Sequence, residues 1–209
     1  MNSIITVSRE FGSGGRELGK RLADELGFAY YDREIVTALA EQTGMDEHYL
    51  ERQLESGGVV SYPVHFAQTF SQISAVPDGA VQLLSLQTKL LRELAAKGDC
   101  VIVGRAADTV LEEYAPFRLF VCAEQEAKIR RCRQRASEGE ELSDREILRQ
   151  MKRIDRSRAE YHDIISSRLW GDKSAYHLCV NTTDIEIKAI VPGIAAYYRL
   201  WRKAQENAG

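Results

Sequence analysis

Long apolar runs, paired cysteines and a surplus of either charge are all missing from this chain. No run approaches the ~20 residues that a membrane-spanning helix requires, so no membrane association is expected. The four cysteines, Cys100, Cys122, Cys132 and Cys179, include no C-x-x-C pair. Three of them lie in apolar strand-like runs, and buried free thiols are expected. Lys and Arg number 28 against 31 Asp and Glu, a slightly acidic balance that argues against general nucleic-acid binding. The opening MNSIITVSRE has no cationic stretch leading into a long apolar one; no signal peptide is visible, and a cytoplasmic location is expected. His48, His65, His162 and His177 lack metal-ligand spacing, and no G-x-S-x-G nucleophile motif occurs. Internal repeats and low-complexity linkers are absent too. A length of 209 residues favours one domain with one substantial core, and leaves homo-oligomerisation open.

What is present is an alternation of strand-like and helix-like segments, the pattern of a parallel sheet covered by helices. Ser3–Val7 reads as a buried strand, and Arg16–Leu26 as an amphipathic helix with Leu18, Leu22 and Leu26 on one face, ended by Gly27. Phe28–Tyr31 is a short strand and Asp32–Gln42 a helix, with Asp32 an N-cap candidate. A looser insertion, Gly44–Pro77, holds short helices around Glu47–Glu55 and Val64–Ile73 and precedes a long helix over Asp78–Ala96. Further strands are expected at Cys100–Val103, Phe117–Cys122 and Ala175–Val180. Ser143 and Glu146 form a capping box, flanked by Leu142 and Ile147 as a hydrophobic staple, and start a helix reaching about Ser166. Thr183 and Glu186 are spaced to cap a C-terminal helix.

The informative segment is SREFGSGGREL. A buried strand, the small residues Gly12, Ser13, Gly14 and Gly15, and a helix follow one another directly. Backbone amides in such a turn, reinforced by the positive end of the helix, form an anion site, and glycine lets a phosphate approach. The spacing Gly14-Gly15-Arg16-Glu17-Leu18-Gly19-Lys20 imitates the G-x-x-x-x-G-K-[ST] motif but is a decoy. Arg21 stands where Ser or Thr belongs, and Lys20 falls a full turn inside the helix.

IITVSREFGSGGRELGKRLADELGFAYYD resembles the opening of bacterial cytidylate kinases, whose strand leads to a GxSGSGKGT loop, a helix and a YLD-like segment. Fainter likeness continues at VIVGRAAD and at IDRSRAEYHD, and is strongest to the divergent group with an SRE-x-GSGGRE-like loop. The resemblance implies a P-loop kinase-like three-layer α/β/α fold with a five-stranded parallel sheet. It implies one domain, with a core at 1–43, 78–136 and 168–209, a nucleoside-monophosphate-binding insertion at 44–77 and a lid at 137–167.

Several positions depart from that pattern. Gly15 replaces the phosphate-binding lysine, Glu17 the Mg²⁺-binding hydroxyl and Arg9 the first glycine. Ala106 replaces an Asp, and Ala38 an Arg that binds substrate. Phosphoryl transfer depends on placing positive charge, whichever position supplies it. Arg16 and Arg9 are therefore the compensating cations, and Glu17 the candidate Mg²⁺ ligand. Gly12, Ser13, Gly14 and Gly15 would cradle the nucleotide phosphates, with Arg130 and Arg131 alongside. Arg105, at the end of a buried strand, would hold the acceptor together with Asp32, Asp108 and Asp155. The run Asp155-Arg156-Ser157-Arg158 resembles lid sequences whose arginines close over both nucleotides, which makes Arg153, Arg156 and Arg158 the lid candidates. Arg145, Arg149, Lys152 and Arg156 share one helical face, a stripe that is ordinarily solvated.

The activity implied is transfer of the γ-phosphate of ATP (or GTP), with Mg²⁺, to a nucleoside monophosphate or another small phosphate acceptor. The competing expectation is a non-catalytic nucleotide-binding protein with a degenerate loop.

Overall fold

The computed structural model describes residues 2–50, 78–135 and 142–208. Five strands, β1 (Ile4–Arg9), β2 (Ala29–Tyr31), β3 (Cys100–Val103), β4 (Phe117–Cys122) and β5 (Leu178–Asn181), form one sheet in the order β2-β3-β1-β4-β5. Every pairing is parallel. The helices are α1 (Gly15–Leu26), α2 (Glu34–Thr43), α3 (Asp78–Lys97), α4 (Ala107–Val110), α5 (Gln125–Arg135), α6 (Asp144–Ile165) and α7 (Ile187–Ala208). Residues 47–50 are also helical, as expected for the first helix of the insertion; residues 51–77, with the end of that helix and the expected helix at Val64–Ile73, lie outside the described residues.

Successive strand side chains point to opposite faces, so adjacent residues of β1 feed two cores. Ile4 packs with Ile102, Leu39, Leu91 and Leu111 beneath α2, α3 and α4. Ile5 and Val7 pack with Leu18, Leu22, Phe117 and Ile194 beneath α1 and α7. A sheet covered on both faces needs continuously apolar central strands, and the runs IITV and CVIV are accordingly buried throughout.

Strand register then positions the chemistry. Val7 of β1 pairs with Val103 of β3, so both chains leave the sheet side by side at its carboxyl end. Ser143 accepts from the Glu146 amide while the Glu146 carboxylate accepts from the Ser143 amide at 2.9 Å, which completes the expected capping box. Ile147, Met151, Ile154, Tyr161 and His162 form the buried face of α6, and Leu148 beside it is half-buried. Arg145, Arg149, Lys152 and Arg156 all face solvent.

Some local expectations are corrected. β5 begins at Leu178, because Lys173–Ala175 form a 3₁₀ turn. β5 is an edge strand with alternating exposure, so Cys179 is exposed; Cys122 and Cys132 are partly buried and only Cys100 is fully buried. Thr183 does not cap α7. Its hydroxyl accepts from the Glu124 amide at 2.8 Å, at the start of α5. Asp32 is not an N-cap either: Arg33 occupies that position, and the Asp32 carboxylate is turned toward arginines.

His177 sits in an aromatic cluster, its ring 5.6 Å from Phe117 and 4.8 Å from Trp201. Its Nδ1 accepts from the Arg118 amide at 2.9 Å. Burial, helped by the Arg118 and Arg168 charges, pushes its pKa down to about 4. The unfolded chain therefore takes up a proton before the folded one does, and stability falls as pH drops from the ordinary 6.5 to about 4. Denaturant titrations across that window should show the decline in the wild type. His177→Asn, which keeps an acceptor for the amide, should flatten it.

Candidate functional site

At the carboxyl end of the sheet the β1–α1 turn opens on a cleft of about 840 Å³, whose other walls come from α5 and α6. Gly14 turns the chain into α1 at φ 84°, a left-handed conformation that glycine adopts without strain. A Cβ on Gly14 would also lie 2.7 Å from Ile187 Cδ1. The fully buried Ser13 donates through Oγ to the Glu10 carbonyl at 2.8 Å, and Thr182 Oγ1 donates to the Ser13 carbonyl at 2.7 Å. Lys128 pairs with Glu10 at 2.8 Å. The turn is thus braced from below by α5 and the β5–α7 junction. The first amides of α1 have no intrahelical acceptors, as at any helix start, and Gly14, Gly15 and Arg16 line the cleft. Positive amide ends, small residues and open volume together suit a polyphosphate.

A group of arginines surrounds this turn. Arg16 Nε lies 2.8 Å from Asp32 Oδ2, and Arg9 Nη2 lies 4.0 Å from Asp32 Oδ1. Arg9 is nearly buried, its side chain 11% exposed, and burial together with the neighbouring Arg158 guanidinium lowers its pKa. Arg16 and Arg105 add further repulsion, while Asp32 opposes it.

α6 reaches the same place. Arg158 Nη1 donates to the Arg9 carbonyl at 3.2 Å, and its guanidinium lies 5.9 Å from the Phe11 ring centre. Asp155 Oδ1 accepts from the Phe11 amide at 2.6 Å and pairs with Arg158 at 3.3 Å. Burial pushes the Asp155 carboxyl up, against the opposing pull of that amide and of Arg158. One turn on, His162 Nε2 meets Asp108 Oδ2 at 3.0 Å, with both side chains buried. Arg153 and Arg156 are brought to no part of this site: both face solvent, and Arg156 pairs with Glu160 at 2.8 Å.

Beyond β3, Gly104, Arg105 and Ala106 all take left-handed φ, at 76°, 60° and 46°. Two non-glycine residues in that region store strain of about 1–3 kcal/mol each. The strain turns the chain sharply into α4 and leaves Arg105 lining a second, small cavity with Arg9, Arg158 and Tyr161. One oxygen of the Asp108 carboxylate, Oδ2, meets His162, and the buried Oδ1 has no hydrogen-bond partner among the described residues.

Glu17 accepts from Arg21 Nε at 2.9 Å through one oxygen and from Arg135 Nη2 at 2.9 Å through the other. As placed, each Glu17 oxygen faces an arginine, and Glu17 is not among the residues lining the cleft. Arg131 lines the cleft and donates to Thr182 Oγ1 at 3.1 Å, whereas Arg130 turns outward to Asp184. Lys20 lies on the solvent side of α1 and pairs with Asp24 at 2.7 Å, which confirms the decoy.

Sequence reasoning missed the Phe11–Asp155 tie, the Lys128–Glu10 brace, the Asp108–His162 pair and the cleft-lining Arg135. The partners are 54 to 144 residues apart in the paired cases, and no local periodicity links them.

A family model described as the cytidylate kinase-like family matches residues 4–184. A cytidylate kinase of Thermosipho melanesiensis is 24% identical over 91% of this chain and 94% of its own length. One from Haloarcula marismortui is 28% identical over 86% and 80%. Among solved structures, an uncharacterized protein from Eubacterium ventriosum superposes with a TM-score of 0.68 at 23% identity, covering 94% of this chain and 98% of its own. A shikimate kinase from Bacteroides thetaiotaomicron gives 0.57 at 14% identity, covering 95% and 99%. A gluconokinase from Sinorhizobium meliloti gives 0.54 at 16%, covering 100% and 98%. The fold is that of P-loop kinases, three layers around a five-stranded parallel sheet. Among the described residues no helix is long and apolar enough to cross a membrane.

Asp32 is 5% exposed and holds two guanidiniums. Asp32→Asn leaves them facing each other and should cost about 2–3 kcal/mol of stability, somewhat less than a fully buried pair because Arg16 reaches solvent. Guanidinium chloride unfolding measures this. An unchanged midpoint would show that the pair contributes nothing.

Proposed function

The chain belongs to the cytidylate kinase-like family, and on that premise we propose that it is a nucleotide-dependent phosphotransferase. It moves the γ-phosphate of ATP (or GTP) to a nucleoside monophosphate or another small acceptor. The observation that carries this reading is the glycine turn at the start of α1, open on the large cleft and walled by Arg16, Arg131 and Arg158. Gly12, Ser13, Gly14, Gly15 and Arg16 cradle the donor phosphates, and Arg131 lies beside them; Arg130 joins only by leaving Asp184. Residues 137–167 act as the lid, with Arg158 as its working arginine. Arg153 and Arg156 contribute only if closure turns them inward. The acceptor lies toward Arg105, with Asp32 and Asp155 orienting the cations around it and Asp108 supporting through His162. Mg²⁺ supplies charge neutralisation when it arrives on the nucleotide's own phosphates, and Glu17 has no part in holding it while its ion pairs persist.

A second reading has a specific observation in its favour. Gly15 stands where the family's lysine belongs, and Glu17 is locked between Arg21 and Arg135. Both suit a protein that binds nucleotide without turning it over.

ADP production from Mg-ATP or Mg-GTP, assayed across a panel of nucleoside monophosphates, separates the two. Turnover with any acceptor supports the kinase; nucleotide-dependent thermal stabilisation without turnover supports the binding protein. In the kinase, Arg158→Ala should lower kcat about 10³-fold, the effect typical of an arginine that meets the transferring phosphoryl group. A kcat within a few-fold of wild type would remove Arg158 from that role.

A further inference from the structure

Arg9 and Gly15 stand where the cytidylate kinase loop has its first glycine and its lysine, and the structure places the two side by side. Arg9 is the last residue of β1, and Gly104 follows the last residue of β3. The Val7–Val103 register sets those ends next to each other, with the Gly104 amide donating to the Val7 carbonyl at 3.0 Å. The Arg9 side chain runs through the gap between Gly15 and Gly104. A Cβ on Gly15 would lie 2.5 Å from Arg9 Cβ and 3.0 Å from its Cγ. A Cβ on Gly104 would lie 1.7 Å from Arg9 Nη1 and 2.7 Å from its Cζ. Any side chain on Gly15 meets the root of Arg9, and any side chain on Gly104 meets its guanidinium.

The channel leads to a particular place. Arg9 lines both the large cleft and the small cavity beside Arg105, and among the described residues only Arg158 shares that position with it. Arg9 and Arg158 thus stand where the large cleft meets the small cavity beside Arg105. Arg16, the other compensating candidate, is drawn to Asp32 at 2.8 Å and is 37% exposed, and Lys20 lies on the outer face of α1. Arg9 is the cation whose position the packing fixes.

We infer that Arg9 is the relocated phosphate-binding cation of the turn, held at the junction of the two cavities, and that Gly15 is a glycine because the root of the Arg9 side chain occupies the space beside it. The inference rests on the phosphotransferase reading and names the residue that replaces the lysine. With no side chain on Gly15, the space beside the turn is open to a guanidinium entering from the strand. The depressed pKa of Arg9 agrees with this, since a buried charge among like charges is relieved by an incoming anion.

Calorimetric titration with inorganic tripolyphosphate, alongside ADP, tests it without requiring turnover. Arg9→Met fills the channel without charge and should weaken tripolyphosphate binding about tenfold or more, the loss typical of a charge-assisted contact. Arg9→Gln, neutral and polar, repeats the comparison should the methionine variant fail to fold. Gly15→Lys alone should weaken binding by collision with Arg9, and the exchange Arg9→Gly with Gly15→Lys should restore it to within about threefold of wild type, a coupling that independent sites do not show. Wild-type affinity in the neutral Arg9 variants, or an exchange no better than Gly15→Lys alone, would overturn the inference and leave the phosphotransferase reading standing. A wild type that binds neither tripolyphosphate nor ADP would overturn both.

Discussion

Guanidinium groups repel one another, and most strongly where water is excluded. Arg9, Arg16, Arg105 and Arg158 nevertheless converge at one end of this sheet, close enough for each of the other three to lower the pKa of Arg9. Two carboxylates oppose the repulsion. Asp32, at the end of β2, takes Arg16 and Arg9, and Asp155, on α6, takes Arg158 together with the Phe11 amide. The convergence of guanidiniums at a desolvated sheet end favours an anion there, and the site is arranged around it as much as around the shape of the glycine turn.

α6 is the element that closes the arrangement. Asp155, Arg158 and His162 lie along one side of it, and they engage the Phe11 amide, the Arg9 carbonyl and Asp108 in turn. One helix therefore ties the β1–α1 turn to the segment after β3, the two segments that meet through the Val7–Val103 register. The desolvation that weakens Arg9's hold on its proton also raises the electrostatic worth of any phosphate reaching it. An exposed arginine in the same position would bind phosphate more weakly and compete with salt.

Much of the architecture was legible in the chain because it is written locally. Continuous apolar runs marked the central strands, Leu18 and Leu22 marked the buried face of α1, and Ser143 with Glu146 marked a helix start that forms as expected. What misled were residues whose local chemistry permits two partners. Asp32 and Thr183 both suit helix caps, yet one is drawn to Arg16 and the other to the Glu124 amide, because tertiary neighbours offer a stronger or nearer partner than the helix does. Cys179 looked buried because its apolar run resembles the central strands, and sequence does not show which strand lies at the edge. In the site, Arg9 and Arg158 were visible as residue types. Their meeting was not, since 149 positions separate them and only the fold brings them together.

The altered loop illustrates how such a fold tolerates change. In a parallel sheet, neighbouring strands deliver their carboxyl ends to the same edge, so a position there is reachable from more than one strand. Charge needed at that edge enters from the helix side of the turn as a lysine, or from the strand side as an arginine, provided that the vacated position becomes small. Here the strand-side cation comes with Gly15 on one flank and Gly104 on the other. Either substitution alone creates a steric or electrostatic fault: an arginine beside a lysine collides, and a glycine without the arginine leaves the phosphate with too little positive charge. The fold thus constrains the two positions jointly, and a loop that looks degenerate when its residues are compared one at a time is consistent when its side chains are traced in space.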